Sequence, residues 1–571
     1  MKFSGIVSFG EKRTFLPKKE PFNIEESHLV FRRKSLDLFE EDNLVFNSKD
    51  IFISIEGYII NDSVLYEKYN CTDLKSLVLT LIEKNGADWI TEINGEISVI
   101  YYNKTSKEVF LYTNLTTTKP IFYFYKDNKL VFGRRTFDVL DLLTPEDDLL
   151  LDEKSIRFFL RYGIYPQNKT MFKGLHKVVA GTYIKVTPDT IQEHTYHKLT
   201  ATPHYNKDYN SLLTELNTAF DKAVKEAIEK NLAANKKTLI TLSGGLDSRM
   251  IVLSAYKQGY DFDTITFAQK GSWDHIIAQE LAKKINKKNI FIDLTNGDYL
   301  SEYEKLIDLN GGYVTFAGAS QSYYSFKSIE KELKQYGLIL TGQLGDALVG
   351  CTYNSKGLES RPEIGDLRTG SQFHLDGLVP MLEKLNANYE TKELLNFYCG
   401  GCNGVSNGDI STNSLVQYHT PFLAKDFLEF CSKIPVSLRI NRKVYNDWYE
   451  RNYSEFKDVY YYNNSYYKRG VTPTIFKGTY WERIKRKLTI KYYKRFCGLD
   501  ESVDMYPIND WGDKNSEELR VKYKEYLTWF SPELRLIMEK QFELEPINSK
   551  INLFTVSYVV NKYMQQKKIK V

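Results

Sequence analysis

Ser243-Gly244-Gly245-Leu246-Asp247-Ser248 is the stretch whose residue types and order are suited to chemistry. Two glycines permit a tight turn and let the backbone close on an anion. Ser243 and Ser248 supply hydroxyls, and the first amides of a following helix would aim at the same spot. Asp247 would repel a phosphate, so it requires a cation between them; magnesium held by one or two carboxylates together with phosphate oxygens is the ordinary arrangement. No Gly-x-x-x-x-Gly-Lys-Ser/Thr occurs in the chain. The loop is therefore not of the Walker type, and simple transfer of a terminal phosphoryl group is the less favoured chemistry.

Such a loop is meaningful only if flanking elements hold it. Thr238 to Leu242 is an apolar run that reads as a buried strand, and Arg249 to Gln258 reads as the helix after the loop. From about residue 205 onward, long helical patterns such as Leu212 to Asn231 alternate with short apolar strands, which predicts a parallel, doubly wound α/β sheet with ligands at the carboxyl ends of its strands. A second strand spans Asp263 to Phe267, with Asp274 shortly after it. A third, Leu338 to Thr341, runs into Gly342-Gln343-Leu344-Gly345-Asp346. An aspartate after glycine is most often only a turn residue. Its arrival at the end of a predicted strand, where a doubly wound sheet gathers its ligands, makes Asp346 a site candidate.

The first two hundred residues read differently. Short alternating strands (Gly5 to Phe9, Ile51 to Ile55, Ile97 to Tyr102, Val109 to Tyr112) surround one amphipathic helix, Leu74 to Lys84, which is an α+β sandwich pattern. At 571 residues two domains are expected, 1–200 and 205–571. Hydrophobic residues make up 42% and charged ones 26%, ordinary for a globular chain and against wholesale disorder. Six scattered cysteines form no disulfide framework. With no signal-peptide core and no apolar run of about 18 residues, a cytoplasmic setting without a transmembrane segment is expected.

The loop resembles the pyrophosphate loop of the N-type ATP pyrophosphatases, in particular the asparagine synthetase, β-lactam synthetase and lasso-peptide cyclase group. That resemblance implies an adenine nucleotide α-hydrolase-like synthetase domain that uses ATP and Mg2+, splits ATP to AMP and pyrophosphate, and activates a carboxylate as its acyl-adenylate. On this likeness Leu242, Ser243, Gly244, Gly245, Asp247, Ser248, Phe267, Asp274 and Gly345 would contact the nucleotide. Asp247 and Asp346 would hold the metal. Tyr467-Lys468-Arg469-Gly470-Val471 resembles the family's Lys-x-Gly-Val segment, so Lys468 would join Asp247 and Asp346 as catalytic, neutralising charge that develops on the adenylate and pyrophosphate. The segments Ile55 to Asn61, Thr116 to Tyr123 and Leu130 to Gly133 resemble the family's N-terminal glutaminase, an Ntn-hydrolase-like sandwich. Where that domain uses an N-terminal cysteine whose α-amine is the base, this chain has Ser4-Gly5-Ile6 behind three residues. The domain is thus expected to be inactive as a glutaminase.

Gln343 and Ala347 depart from the family's usual residues, which leaves substrate identity open, and Ala424 replaces an aspartate after Pro421-Phe422-Leu423. The reaction expected is amide formation between a carboxylate- and amine-bearing substrate, with closure of a precursor peptide into a macrolactam as the favoured form. An asparagine synthetase or carbohydrate-acid amidotransferase using ammonia or a separate amine stays open, as does a non-catalytic nucleotide-binding module. The net charge of +4 says little about partners, and no clear nucleic-acid signal emerges. Residues 468–495 carry ten Lys/Arg and one acid, a strip that reads either as a solvated helix face or as a surface for an acidic partner. Cys399-Gly-Gly-Cys402 is a weak metal or redox signal without a second pair, and His194 and His197 fall in the expected interdomain linker.

Overall fold

The computed structural model describes residues 2–10, 22–34, 36, 38–144, 147, 149–200, 203–318, 320–350, 357–367, 371, 377–459 and 504–569. Two six-stranded antiparallel sheets make up the N-terminal part. One runs, in spatial order, Leu175–Lys177, Phe122–Lys126, Lys129–Gly133, Lys2–Ser8, Leu29–Lys34, Ile24–Glu25. The other runs Ile191–Thr195, Thr182–Val186, Glu108–Thr113, Gly95–Asn103, Ile51–Ile59, Leu44–Asn47. Alternation along each strand sorts the side chains between two apolar layers. Phe52, Ile100 and Leu111 face Phe3, Phe31 and Phe132 of the other sheet, whereas their neighbours Ile53, Val99 and Phe110 point the opposite way. On that outer side lies the helix Leu74–Asn85, burying Leu74, Leu77, Val78 and Leu81. Its start is fixed by a capping box between Asp73 and Ser76. The sandwich expected from the strand pattern is thus present.

The C-terminal part is built on a five-stranded sheet in the order Asn289–Asp293, Phe262–Ala268, Lys237–Thr241, Tyr336–Leu340, Gln417–His419, with every pairing parallel. Leu239 and Ile339 pack on one face and Ile240 and Leu340 on the other, so helices cover both faces, as a doubly wound sheet requires. Tyr209–Ala233 and Leu246–Lys257 belong to the second face, where Phe220, Met250 and Trp448 are fully buried. On the first face the C-terminal helices Ile508–Tyr526, Pro532–Leu544 and Ile547–Ile569 join a core that also takes in Phe122 and Val131 of the sandwich.

Two details depart from the sequence reading. The helix after the loop begins at Leu246, three residues earlier than expected, so Asp247 and Ser248 are in its first turn. Residues Phe397–Ser406, which include Cys399 and Cys402, form a π-helix; no apolar periodicity announces one. No helix among the described residues is long and apolar enough to cross a membrane.

Candidate active site

The loop between Lys237–Thr241 and Leu246–Lys257 is closed by its own hydroxyls. The Ser243 amide donates to Ser248 Oγ at 3.0 Å, the Gly245 amide donates to Ser243 Oγ at 3.2 Å, and the two serine hydroxyls lie 3.1 Å apart. The Gly244 amide donates to Asp274 Oδ1 at 2.9 Å. Loop amides 243–245 are therefore claimed internally, while Gly245 gives the helix no side-chain cap. The first-turn amides of the helix are left to face an anion.

Asp247 and Asp346 meet as their strand positions require, since Lys237–Thr241 and Tyr336–Leu340 are neighbours. The Asp346 amide donates to Asp247 Oδ2 at 3.1 Å, and the Tyr445 hydroxyl donates to Asp247 Oδ1 at 2.8 Å. Arg442 pairs with Asp346 through Oδ2. Burial, and then the nearby Asp346 carboxylate, push the Asp247 carboxyl up to about 7, against Tyr445 and Arg442, which favour its charge. Asp346 Oδ1 is buried with no hydrogen-bond partner among the described residues. An acidic pair with one oxygen unclaimed fits a divalent cation that draws its remaining ligands from phosphate and water. The described residues provide no group of three or more His, Cys, Asp or Glu for a metal on their own.

These groups line a cavity of about 560 Å³, whose wall also takes in Leu242, Gly245, Phe267 and Arg442. The volume lies in the range of ordinary ligand sites. Phe267 both lines this cavity and packs in the core. Gly244, Asp274 and Gly345 stand behind the wall. Asp274 braces the Gly244 amide, with its carboxyl pushed up by burial, and Gly345 leaves room for Phe422 and the Asp247 carboxyl, which a Cβ there would meet at 2.8 and 2.9 Å.

Lys468 and the 468–495 strip lie outside the described residues. On either side of that segment the chain is held near the loop. Val459 O accepts from Arg249 Nη1 at 2.9 Å, and Gln269, directly after the Phe262–Ala268 strand, bonds Asp504 O at 3.0 Å and Met505 O at 2.9 Å. Met505 and Tyr506 thereby reach the cavity wall. Arg442, Tyr445, Met505 and Tyr506 were missed in the sequence because nothing in their local pattern sets them apart from other helix and loop residues.

Next to this cavity is a second of about 540 Å³, which shares Gln321, Ser322, Gln343 and Val405 with it. Glycines 400, 404 and 408, Arg161, Asn548 and Asp409 are among the residues around it. In the N-terminal sandwich, Ser4 is fully buried mid-strand, paired to Arg32 on one side and Gly133 on the other. Its hydroxyl accepts from Arg32 Nε at 2.8 Å. Cys399 and Cys402 are buried free thiols, each pushed up to about 12 by burial. His194 and His197 are half-buried instead of lying free in a linker: His194 stacks on Tyr183, and His197 approaches Glu429 at 3.1 Å.

Residues 219–396 match the asparagine synthase family, and residues 32–197 match the glutamine amidotransferase domain. These matches and the two sheet systems define an amidotransferase–synthetase architecture. A putative asparagine synthetase (glutamine-hydrolyzing) of Methanocaldococcus jannaschii is 22% identical over 343 residues, covering 58% of this chain and 62% of that protein. The glutamine-hydrolyzing asparagine synthetase 2 of Bacillus subtilis is 23% identical over 373 residues, covering 58% of this chain and 47% of that protein. The two matches and these relatives support an asparagine synthetase family assignment, and the chain spans about half to three fifths of the length of these two relatives. Among solved structures, the glutamine PRPP amidotransferase from B. subtilis complexed with ADP and GMP aligns at a TM-score of 0.25 and 10% identity over 51% of this chain and 85% of that one. That likeness is too loose to argue from.

Proposed function

We propose that this chain is an ATP-dependent ligase that converts a substrate carboxylate to its acyl-adenylate, releases pyrophosphate, and lets an amine displace AMP to form an amide. The observation that carries this reading is the contact between Asp247 and Asp346 in the wall of the cavity that the serine–glycine loop also lines. The first-turn amides of Leu246–Lys257 and the hydroxyls of Ser243 and Ser248 bind and orient the phosphates. Asp247 and Asp346 would hold Mg2+, which supplies the charge neutralisation that two carboxylates facing a triphosphate require. Leu242 and Phe267 flank the adenine, and Lys468 contributes a cation to the departing pyrophosphate. The match of residues 219–396 to the asparagine synthase family and the similarity to proteins named asparagine synthetases support the ligase class.

The amine comes from the substrate itself in this reading. Ser4 has a peptide nitrogen inside a strand and a hydroxyl engaged by Arg32, an arrangement that offers neither the nucleophile nor the base of a glutaminase. A second chamber as large as the first has space for a drug-sized substrate, which favours a molecule larger than one amino acid, such as a peptide closed to a macrolactam. Holding both reacting groups in one cavity replaces a bimolecular encounter and is worth up to about 7–11 kcal/mol of barrier at ideal geometry.

The test is ATP–pyrophosphate exchange by the full chain with a panel of acids: L-aspartate, linear peptides bearing an acidic side chain and a free amino terminus, and a uronic acid. Exchange with one of them, AMP as the nucleotide product, and loss of exchange in Asp247→Ala and Lys468→Ala are expected. Accumulation of ADP, or exchange in Asp247→Ala equal to that of the wild type, would overturn the assignment. Glutamate release from glutamine that Ser4→Ala abolishes would overturn the assignment of the amine.

A further inference from the structure

The two cavities share a wall at Gln343, and beside it sits an acid that the proposed reaction has not yet used. Asp409 lines the second chamber, is 7% exposed, and has Gln343 of the shared wall beside it, which favours the charged form of its carboxyl. Behind it, the N-terminal sandwich contributes two charged groups to the same buried region. Lys119 Nζ donates to Asn413 Oδ1 at 3.2 Å and Gln417 Oε1 at 2.5 Å, and Glu96 is buried at 8% exposure, with Lys119, Tyr58 and Thr118 acting on its carboxyl. The groups that act on Asp409 are thus Glu96, Lys119, Tyr418 and the Gln343 amide. Arg134 and Glu56 in turn face Lys119, while Tyr58 and His419 face Glu96, with His419 Nδ1 at 3.8 Å from it.

We propose that Asp409 takes the proton from the nitrogen that attacks the acyl-adenylate, and that Lys119 and Glu96 of the N-terminal domain are positioning residues that set its charge. The inference rests on the ligase reading above. In the step, the nitrogen lone pair forms the new carbon–nitrogen bond. The bond from the acyl carbon to the AMP oxygen breaks with its electron pair, and one proton passes from nitrogen to the Asp409 carboxylate. A carboxylate exposed to water would be too weak a base for this transfer, since general bases work best when their pKa lies near the operating pH. Burial supplies the correction, pushing Asp409 up to about 7, with Glu96 acting in the same direction and Lys119 against it. Burial likewise lowers Lys119 to about 8 and raises Glu96, so a change of charge at either one displaces the titration of Asp409. A sandwich with no evident glutaminase nucleophile thereby has a part in the synthetase chemistry.

The experiment uses the full chain with ATP, an acid that supports exchange in the wild type, and hydroxylamine as the amine, its free-base concentration held constant at every pH. The readout is hydroxamate formed per AMP released. Asp409→Asn should lower that ratio by at least about 100-fold, the lower end of what proton transfer contributes. Lys119→Met should move the acid limb of the ratio-against-pH profile to higher pH, with Lys119→Arg restoring it. Glu96→Gln should move the limb to lower pH. Opposite displacements by two neighbouring substitutions cannot arise from loosened packing. An unchanged ratio in Asp409→Asn, or displacements of the same sign in Lys119→Met and Glu96→Gln, would overturn the inference while leaving the ligase reading intact. A wild type that exchanges with no acid of the panel would remove both.

Discussion

Gly342→Ala isolates the geometry of the phosphate loop from its chemistry, because it adds one methyl group and no charge. A Cβ at this position would lie 2.5 Å from the Ser248 amide nitrogen and 2.8 Å from the Asp247 carbonyl carbon, both backbone atoms of the first helical turn. Ordinary contact begins at 3.4 Å, so the turn carrying Asp247 must retreat from the Tyr336–Leu340 strand end by about 0.9 Å, the difference between 3.4 and 2.5 Å. A misplacement near 1 Å at reacting groups costs about 100-fold in rate, whereas overpacking of one methyl costs only about 1–3 kcal/mol of stability. Measured together, ATP–pyrophosphate exchange should fall about 100-fold while the protein still melts cooperatively, a few degrees lower. Gly10→Ala is the control, since a Cβ there meets nothing within 4 Å. Exchange by Gly342→Ala within threefold of the wild type would show that the close approach of strand end and loop does not set the site.

Gln269→Ala removes the side-chain bond to Asp504 O; worth about 1 kcal/mol, its loss should raise the KM for ATP about fivefold, and an unchanged KM would separate Met505 and Tyr506 from nucleotide binding. Lys230 on helix Tyr209–Ala233 holds Asp42 at 2.8 Å and Asp62 at 2.7 Å, and Lys230→Met should cost about 3–5 kcal/mol by leaving carboxylates unpaired, read as a lower midpoint in urea denaturation. His419 is pushed down to about 4 by burial, so its unfolded form binds a proton near 6.5 while the folded form does not. Its contribution is therefore complete above pH 6.5 and lost as pH falls through 4, on the order of 3 kcal/mol. The melting temperature of His419→Gln should accordingly fall less steeply between pH 6.5 and 4 than that of the wild type, and parallel profiles would refute this.

Chain-local information was sufficient for the strands named from it and for the loop, though not for the π-helix Phe397–Ser406. Period-two alternation in Ile51 to Ile55 and Ile97 to Tyr102, the apolar run Thr238 to Leu242 and the paired glycines after it are consequences of backbone geometry over a few residues, and the strands form where those patterns lie. The Asp247–Asp346 pair was within reach only through the family resemblance, since no local pattern says that the strands Lys237–Thr241 and Tyr336–Leu340 are neighbours. What closes on that pair was not within reach at all. Arg442 and Tyr445 lie 96 and 198 residues from their partners, and an arginine or tyrosine in a helix carries no mark of the distant carboxylate it will meet. The same holds for Lys119, Glu96 and Asp409, each an ordinary polar residue in its own segment. Only packing of the sandwich against the parallel sheet excludes water from all three at once, and it is this exclusion that brings their titration toward neutrality. Local sequence thus determined which backbone could cradle a phosphate, whereas the charge environment around that cradle was decided by contacts between segments hundreds of residues apart, since desolvation belongs to the folded volume and not to any stretch of chain.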